Sequence, residues 1–123
     1  MTGTVDSLNG DMSVRAVMDT REMDWIPSPS GAVLRKRLHL VGEVESGQVT
    51  TFVRYLPGSS FPEHDHPEGE EIFVIEGAFE DARGRYPGGT WLRLPAGAML
   101  DARSDNGCVA YVKTGALHAL RSA

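Results

Sequence analysis

Glycine and proline interrupt this chain so often that a long helix has no room. With 14 glycines and 7 prolines among 123 residues, helical stretches are cut short. Glycine opposes a helix through its backbone entropy, proline through its missing N–H and its ring. The segments between breaks read as strands. VLRKRLHL (33–40) alternates Leu34, Leu38 and Leu40 against Arg35, Arg37 and His39. That pattern predicts a leucine face toward the core, with Lys36 the exception on it. QVTTFVRYL (48–56) is β-branched and aromatic and stops at Pro57-Gly58; EIFVIEG (71–77), TWLRLP (90–95) and CVAYVKT (108–114) follow the same logic. AFEDARGRY (78–86) reads as a strand that turns through Gly84. Short strands at intervals of about ten residues predict an all-β sandwich or barrel.

The remaining composition bounds the partners. A formal net charge of -5 lacks the basic stripe that phosphate backbones demand, so no nucleic-acid partner is expected. The single cysteine, Cys108, cannot close an internal disulfide, which makes a cytoplasmic location the default expectation. No apolar run approaches the roughly 18 residues a membrane helix requires, and no membrane partner is expected. The expected organisation is an N-terminal arm over residues 1–23, with SVRAVM as a candidate edge strand, a barrel domain over 24–115 and a tail over 116–123.

One stretch carries chemistry. GSSFPEHDHPEGEEIFVIEG (58–77) places His64 and His66 two apart, so on a strand both rings share a face. Pro67-Glu68-Gly69 then turns the chain and Glu70 opens the next strand. Two imidazoles and a carboxylate are a donor set for a borderline divalent ion, with zinc and iron the first choices and manganese and nickel also compatible. Glu63, Asp65, Glu68 and Glu71 are read as solvated charges that raise the local cation concentration.

Gly58, His64, His66, Glu70 and Gly77 match the first cupin motif, G(X)5HXH(X)3-4E(X)6G, at every fixed position. Placing Glu71 in the acidic position instead would put Ala78 where the closing glycine belongs. The second motif, G(X)5PXG(X)2H(X)3N, aligns on Gly89, Pro95 and Gly97, with Leu100 standing where the family has its histidine. Together with Trp25-Ile26-Pro27 and NGCVAYVKTG, these segments resemble the ChrR-type cupin group over roughly residues 24–115. The resemblance implies a cupin barrel (double-stranded β-helix, or jelly roll), one divalent metal and, in the anti-sigma members, a sensing role. Those members carry an additional zinc-binding helical domain, which this sequence lacks, so an anti-sigma function is not carried over. Leucine has no lone pair. The implied metal would rest on His64, His66 and Glu70, leaving coordination positions for water or substrate.

Two functions are compatible with such a site. The first is a metal-dependent, dioxygenase-like enzyme acting on a small oxygenated molecule. The second is a non-catalytic module that binds or senses a metal or small ligand, including a variant that has lost its metal. A homodimer through a sheet edge is expected in either case. No general base is assigned. His39 is expected on the arginine face of its strand and His118 in the tail, so neither is taken as a fourth ligand. Cys108 reads as a small buried side chain. Tyr55, Phe73 and Trp91 read as packing residues or pocket walls, and Arg54, Arg93 and Arg103 as exposed strand cations with a lesser claim on an acidic substrate.

Overall fold

The computed structural model describes residues 7–42, 47–60, 64–65, 69–97 and 99–115, the backbone alone at 64–65 and 99–100. The strands are β1 (Ile26–Pro27), β2 (Val33–Val41), β3 (Gln48–Tyr55), β4 (Ser59–Ser60), β5 (His64–Asp65) and β6 (Glu70–Asp81). They continue with β7 (Gly84–Pro87), β8 (Trp91–Leu94), β9 (Met99–Leu100), β10 (Arg103–Ser104) and β11 (Cys108–Thr114). The only helical element among the described residues is one 3-10 turn, Thr20–Glu22. The all-β expectation therefore holds. No helix among the described residues is long and apolar enough to cross a membrane.

The four longest strands lie side by side, antiparallel, in the order β2-β3-β11-β6. β1 extends this wall beyond β2. At twelve residues, β6 is long enough to serve different partners at its two ends: β8 along Glu70–Phe73, β7 along Ala78–Asp81, and β10 at Glu80. β10 in turn holds β4, while β5 and β9 form a separate pair. The β6–β7 hairpin is closed by Asp81, whose Oδ1 accepts from the Arg83 and Gly84 amides at 2.8 and 3.1 Å and from the Tyr86 hydroxyl at 2.8 Å. This is the local side-chain bonding that makes aspartate a turn residue.

Two bulges decide which side chains face the core. In β6, Val74 pairs with Ala110 and Glu76 with Val109, leaving Ile75 as the extra residue. Before it the buried positions are Glu70, Ile72 and Val74; after it the buried one is Phe79. One inserted residue inverts a period-two pattern. The core closes around Phe79, 1% exposed, which stacks on Tyr55 (ring centroids 6.0 Å apart) and tilts against Tyr86 at 5.2 Å. Burying an aromatic ring this fully stabilises by about 2–3 kcal/mol. Small Ala102, Cys108 and Ala110 fill the space between larger neighbours; burial pushes the Cys108 thiol up to about 11, as befits a structural cysteine.

The second bulge corrects the reading of β2. Arg37 pairs with Thr51 and His39 with Thr50, so Leu38 is the extra residue. Arg35 and Arg37 stand in phase with fully buried Val33 and pair with buried Val53 and Thr51. They occupy the inner face on which the alternation predicts leucines. Only Leu40, beyond the bulge, returns to the inner row, opposite Val49. His39, expected on the arginine face, lies on the opposite one, and Leu34 and Lys36 share the outer face. Trp25, just before β1, lies over that outer face, with the Lys36 Nζ 4.5 Å from its ring centroid. The N-terminal arm meets the sheet where Leu8 and Leu40 exchange backbone hydrogen bonds of 3.0 Å; residues 13–18 form no strand.

Candidate functional site

The inner face is ordered in rows that cross the wall. Arg35–Val53–Ala110–Val74 is one; Arg37–Thr51–Val112–Ile72–Leu92 is the next; Leu40–Val49–Thr114–Glu70–Leu94 is the third. Glu70 thus begins β6 among apolar neighbours and is only 5% exposed. Burial pushes its carboxyl up to about 8, because a charge removed from water favours its neutral form. Its cross-strand neighbour Thr114 has a buried Oγ1 that makes no hydrogen bond, an uncommon state for a buried hydroxyl. The adjacent Glu71 points the other way and pairs with Arg93 at 3.3 Å on the outer face. Strand alternation thus separates the two carboxylates that compete for the acidic position of the motif.

β5 and β9 bring the two motifs together. His64 pairs directly with Leu100, and Asp65 with Met99. Directly opposed residues of a ladder share a face, so the backbone sets positions 64 and 100 on one face. His66, Glu63, Glu68 and His118 lie outside the described residues. Among the described residues no three His, Cys, Asp or Glu side chains gather into a cation site.

Tyr55, one of the aromatic candidates, lines the same inner face together with two arginines that the alternation places outside. Tyr55 is 6% exposed, and its hydroxyl is held above the ordinary phenol range by burial first and then by the negative charge of Glu70, with Arg35 opposing. Tyr55 therefore senses both Glu70 and Arg35. Half-buried Arg35 is held below the ordinary guanidinium value by burial first and then by Arg37, Tyr55 acting the other way; burial does the same to Arg37. The signal is present in the phase of these arginines with Val33, but the leucines flanking them carry a competing pattern. The other two aromatic candidates face outward, Phe73 at 43% and Trp91 at 53% exposure. Arg93 and Arg103 are ion-paired on the surface with Glu71 and Glu80, each at 3.3 Å, and Arg54 stands 5.9 Å from the Trp25 ring.

The Glu70 carboxyl makes a testable difference to stability. Below pH 4.5, its ordinary value, folded and unfolded chains both hold the proton. As pH rises toward 8 the unfolded chain releases it while the folded chain keeps it, so stability is present in full at low pH and is lost through that window. In chelator-treated protein, Glu70→Gln should match wild type near pH 4.5 and become more stable by a few kcal/mol by pH 8, read as a difference in urea midpoints. A difference that stays flat across this range would contradict the burial argument.

Comparison with known proteins places this geometry. No curated protein sequence matches the chain. Among solved structures it is similar to a cupin-like protein of unknown function from Ralstonia eutropha JMP134 (15% identity, 80% of this chain and 65% of that one, TM-score 0.68). It is also similar to the Rhodobacter sphaeroides complex of SigE with the anti-sigma ChrR (20% identity, 78% and 51%, TM-score 0.65). An acetylacetone dioxygenase from Acinetobacter johnsonii is a third (17% identity, 89% and 80%, TM-score 0.70). The chain spans about half the matched chain of the ChrR complex and 65% of the Ralstonia protein. At these identities the likeness establishes the fold, a cupin barrel. Residues 13–118 match the ChrR cupin-like domain, and with most of its length covered the chain belongs to that family.

Proposed function

We propose that this cupin binds one divalent metal through His64, His66 and Glu70 and acts as a metal-dependent, dioxygenase-like enzyme on a small oxygenated molecule. The observation that carries the reading is Glu70, a carboxyl buried on the inner face. Its ionised form is costly there unless a cation or a hydrogen-bond donor accompanies it. The donor chemistry fits: two imidazoles and one carboxylate suit zinc or iron, and manganese or nickel as well. When bound, such an ion supplies Lewis acidity and, if it is iron, oxygen activation.

The chain's own residues do the rest. Glu70 would have to give up its proton to become a ligand, and the histidines would ligate in their neutral forms, so metal affinity should fall as pH drops below about 8 and more steeply through the imidazole range near 6.5. Val49, Ile72 and the partly buried Leu92 and Leu94 exclude water from the wall around Glu70. The buried Thr114 hydroxyl is a neutral group that would orient a bound oxygen atom. Leu100 leaves the fourth protein position without a donor.

Leu100→His supplies the missing imidazole opposite His64, and metal affinity should rise by about tenfold or more. Competition titration with a chromogenic chelator measures it; unchanged affinity would mean that position 100 faces away from the ion. The activity is tested by oxygen uptake with a panel of diketones, phenolic ketones and hydroxy acids after anaerobic Fe(II) loading. Uptake above the protein-free rate supports an enzyme. Stoichiometric metal with no uptake would leave the binding or sensing module as the function.

A further inference from the structure

The strand arginines of this chain divide into two kinds. Arg93 and Arg103 are exposed and each meets a glutamate. Arg35 and Arg37 are half-buried on the inner face, side by side in one phase of β2, and among the described residues no carboxylate pairs with either. That distribution is the reverse of what stability alone favours. Two adjacent guanidinium groups repel each other, and burying their charge costs free energy at positions where a valine would suit the wall. An arrangement of this cost has a rationale if the missing negative charge arrives with a ligand.

The surroundings agree. Arg35, Lys36 and Arg37 rim a cavity of about 450 Å3 at the edge of β2, with Met23 and Ile26 as apolar wall and Asp24 as its one acidic residue. Lys36 is already engaged, its Nζ donating to the Thr20 carbonyl at 2.6 Å and resting over Trp25. The two arginines, by contrast, keep five N–H donors each in a planar fork, the geometry that matches a carboxylate bidentately.

We propose that Arg35 and Arg37 form an anion-recognition pair on the inner wall, so that the small molecule this protein takes carries a carboxylate. The proposal rests on the interior being a ligand site and narrows the class of ligand it accepts. The fork geometry favours a carboxylate, and the proposed metal centre would take a second oxygen function of the same small acid.

The test uses 4-oxopentanoate and its methyl ester, which share a skeleton and differ in charge. Each is titrated calorimetrically into metal-free and metal-loaded protein. In both states the acid should bind at least about tenfold tighter than the ester. In the Arg35→Gln/Arg37→Gln variant that preference should fall to within about twofold, with metal content unchanged. Equal affinities in wild type, or a preference that survives in the variant, would overturn the proposal. Wild type also provides a check that needs no variant: affinity for the acid should drop as chloride is raised, while affinity for the ester stays constant. An acid affinity indifferent to chloride counts against the pair. If wild type holds no metal, the metal-centre reading fails while the metal-free titration still decides the role of the arginines.

Discussion

His64→Ala should reduce bound metal to less than about one tenth of the wild-type stoichiometry after loading and dialysis. The size of the effect follows from how few ligands there are. A four-ligand cupin site that loses a histidine keeps three donors; with Leu100 paired to position 64, the proposed ligand set without His64 would keep one imidazole and one carboxylate. Two protein ligands seldom hold a transition ion against exchange with water. Elemental analysis gives the answer directly, and circular dichroism shows whether the fold survives. A full equivalent retained by a folded variant would refute the ligand set.

The second large effect is on folding. Gly77, which closes the first motif, has φ +74, and a Cβ there would come within 2.9 Å of the Cys108 Cα and still closer to the Gly107 carbonyl oxygen. Both neighbours are backbone, held in place by the β6–β11 ladder, and neither can yield as a side-chain tip can. Gly77→Ala should therefore cost about 3 kcal/mol or more, combining left-handed backbone strain with overpacking. Gly58, which opens the same motif, provides the internal control. Its φ is +77 but a Cβ there would meet nothing within 4 Å, so Gly58→Ala should cost only the backbone strain, about 1–2 kcal/mol. Urea unfolding of both variants separates the two causes. Equal losses would mean that the contact across to Cys108 does not matter.

Much of the fold is legible in the sequence because strand patterns bounded by glycine and proline are local signals. β3, β8 and β11 fall where the alternating runs end at such breaks. The two-residue strands β1, β4, β9 and β10 leave no signature, since a pattern of period two needs more than two residues to be seen; β5 is read only from the spacing of the histidines. Facing is harder to read than existence. Leu38 and Ile75 each add one residue to a ladder, and a bulge is a property of two paired strands, so one strand's alternation does not reveal it. For that reason the alternation of β2 alone sets Arg35 and Arg37 on a solvent face, and only its pairing with β3 turns them inward.

The candidate site divides along the same line. Spacing selects Glu70 rather than Glu71, and the structure sets the first inward and the second outward against Arg93. The alignment of the second motif sets Leu100 against the histidine motif, and the ladder pairs it with His64. Tyr55 is one of three aromatic candidates and only it turns inward, a distinction made by register with β11 rather than by residue type. The environment of Glu70 depends on strands distant in sequence, so its raised carboxyl has no local signal.

Anomalous diffraction at the metal edge, on crystals of protein loaded with zinc or iron, tests the metal centre most directly. One peak per chain is expected, about 2.0–2.2 Å from a nitrogen of His64, a nitrogen of His66 and an oxygen of Glu70, with no ligand from Leu100 and at least one position left to solvent. No peak, or a peak held by other side chains while Glu70 stays protonated in the wall, would contradict it.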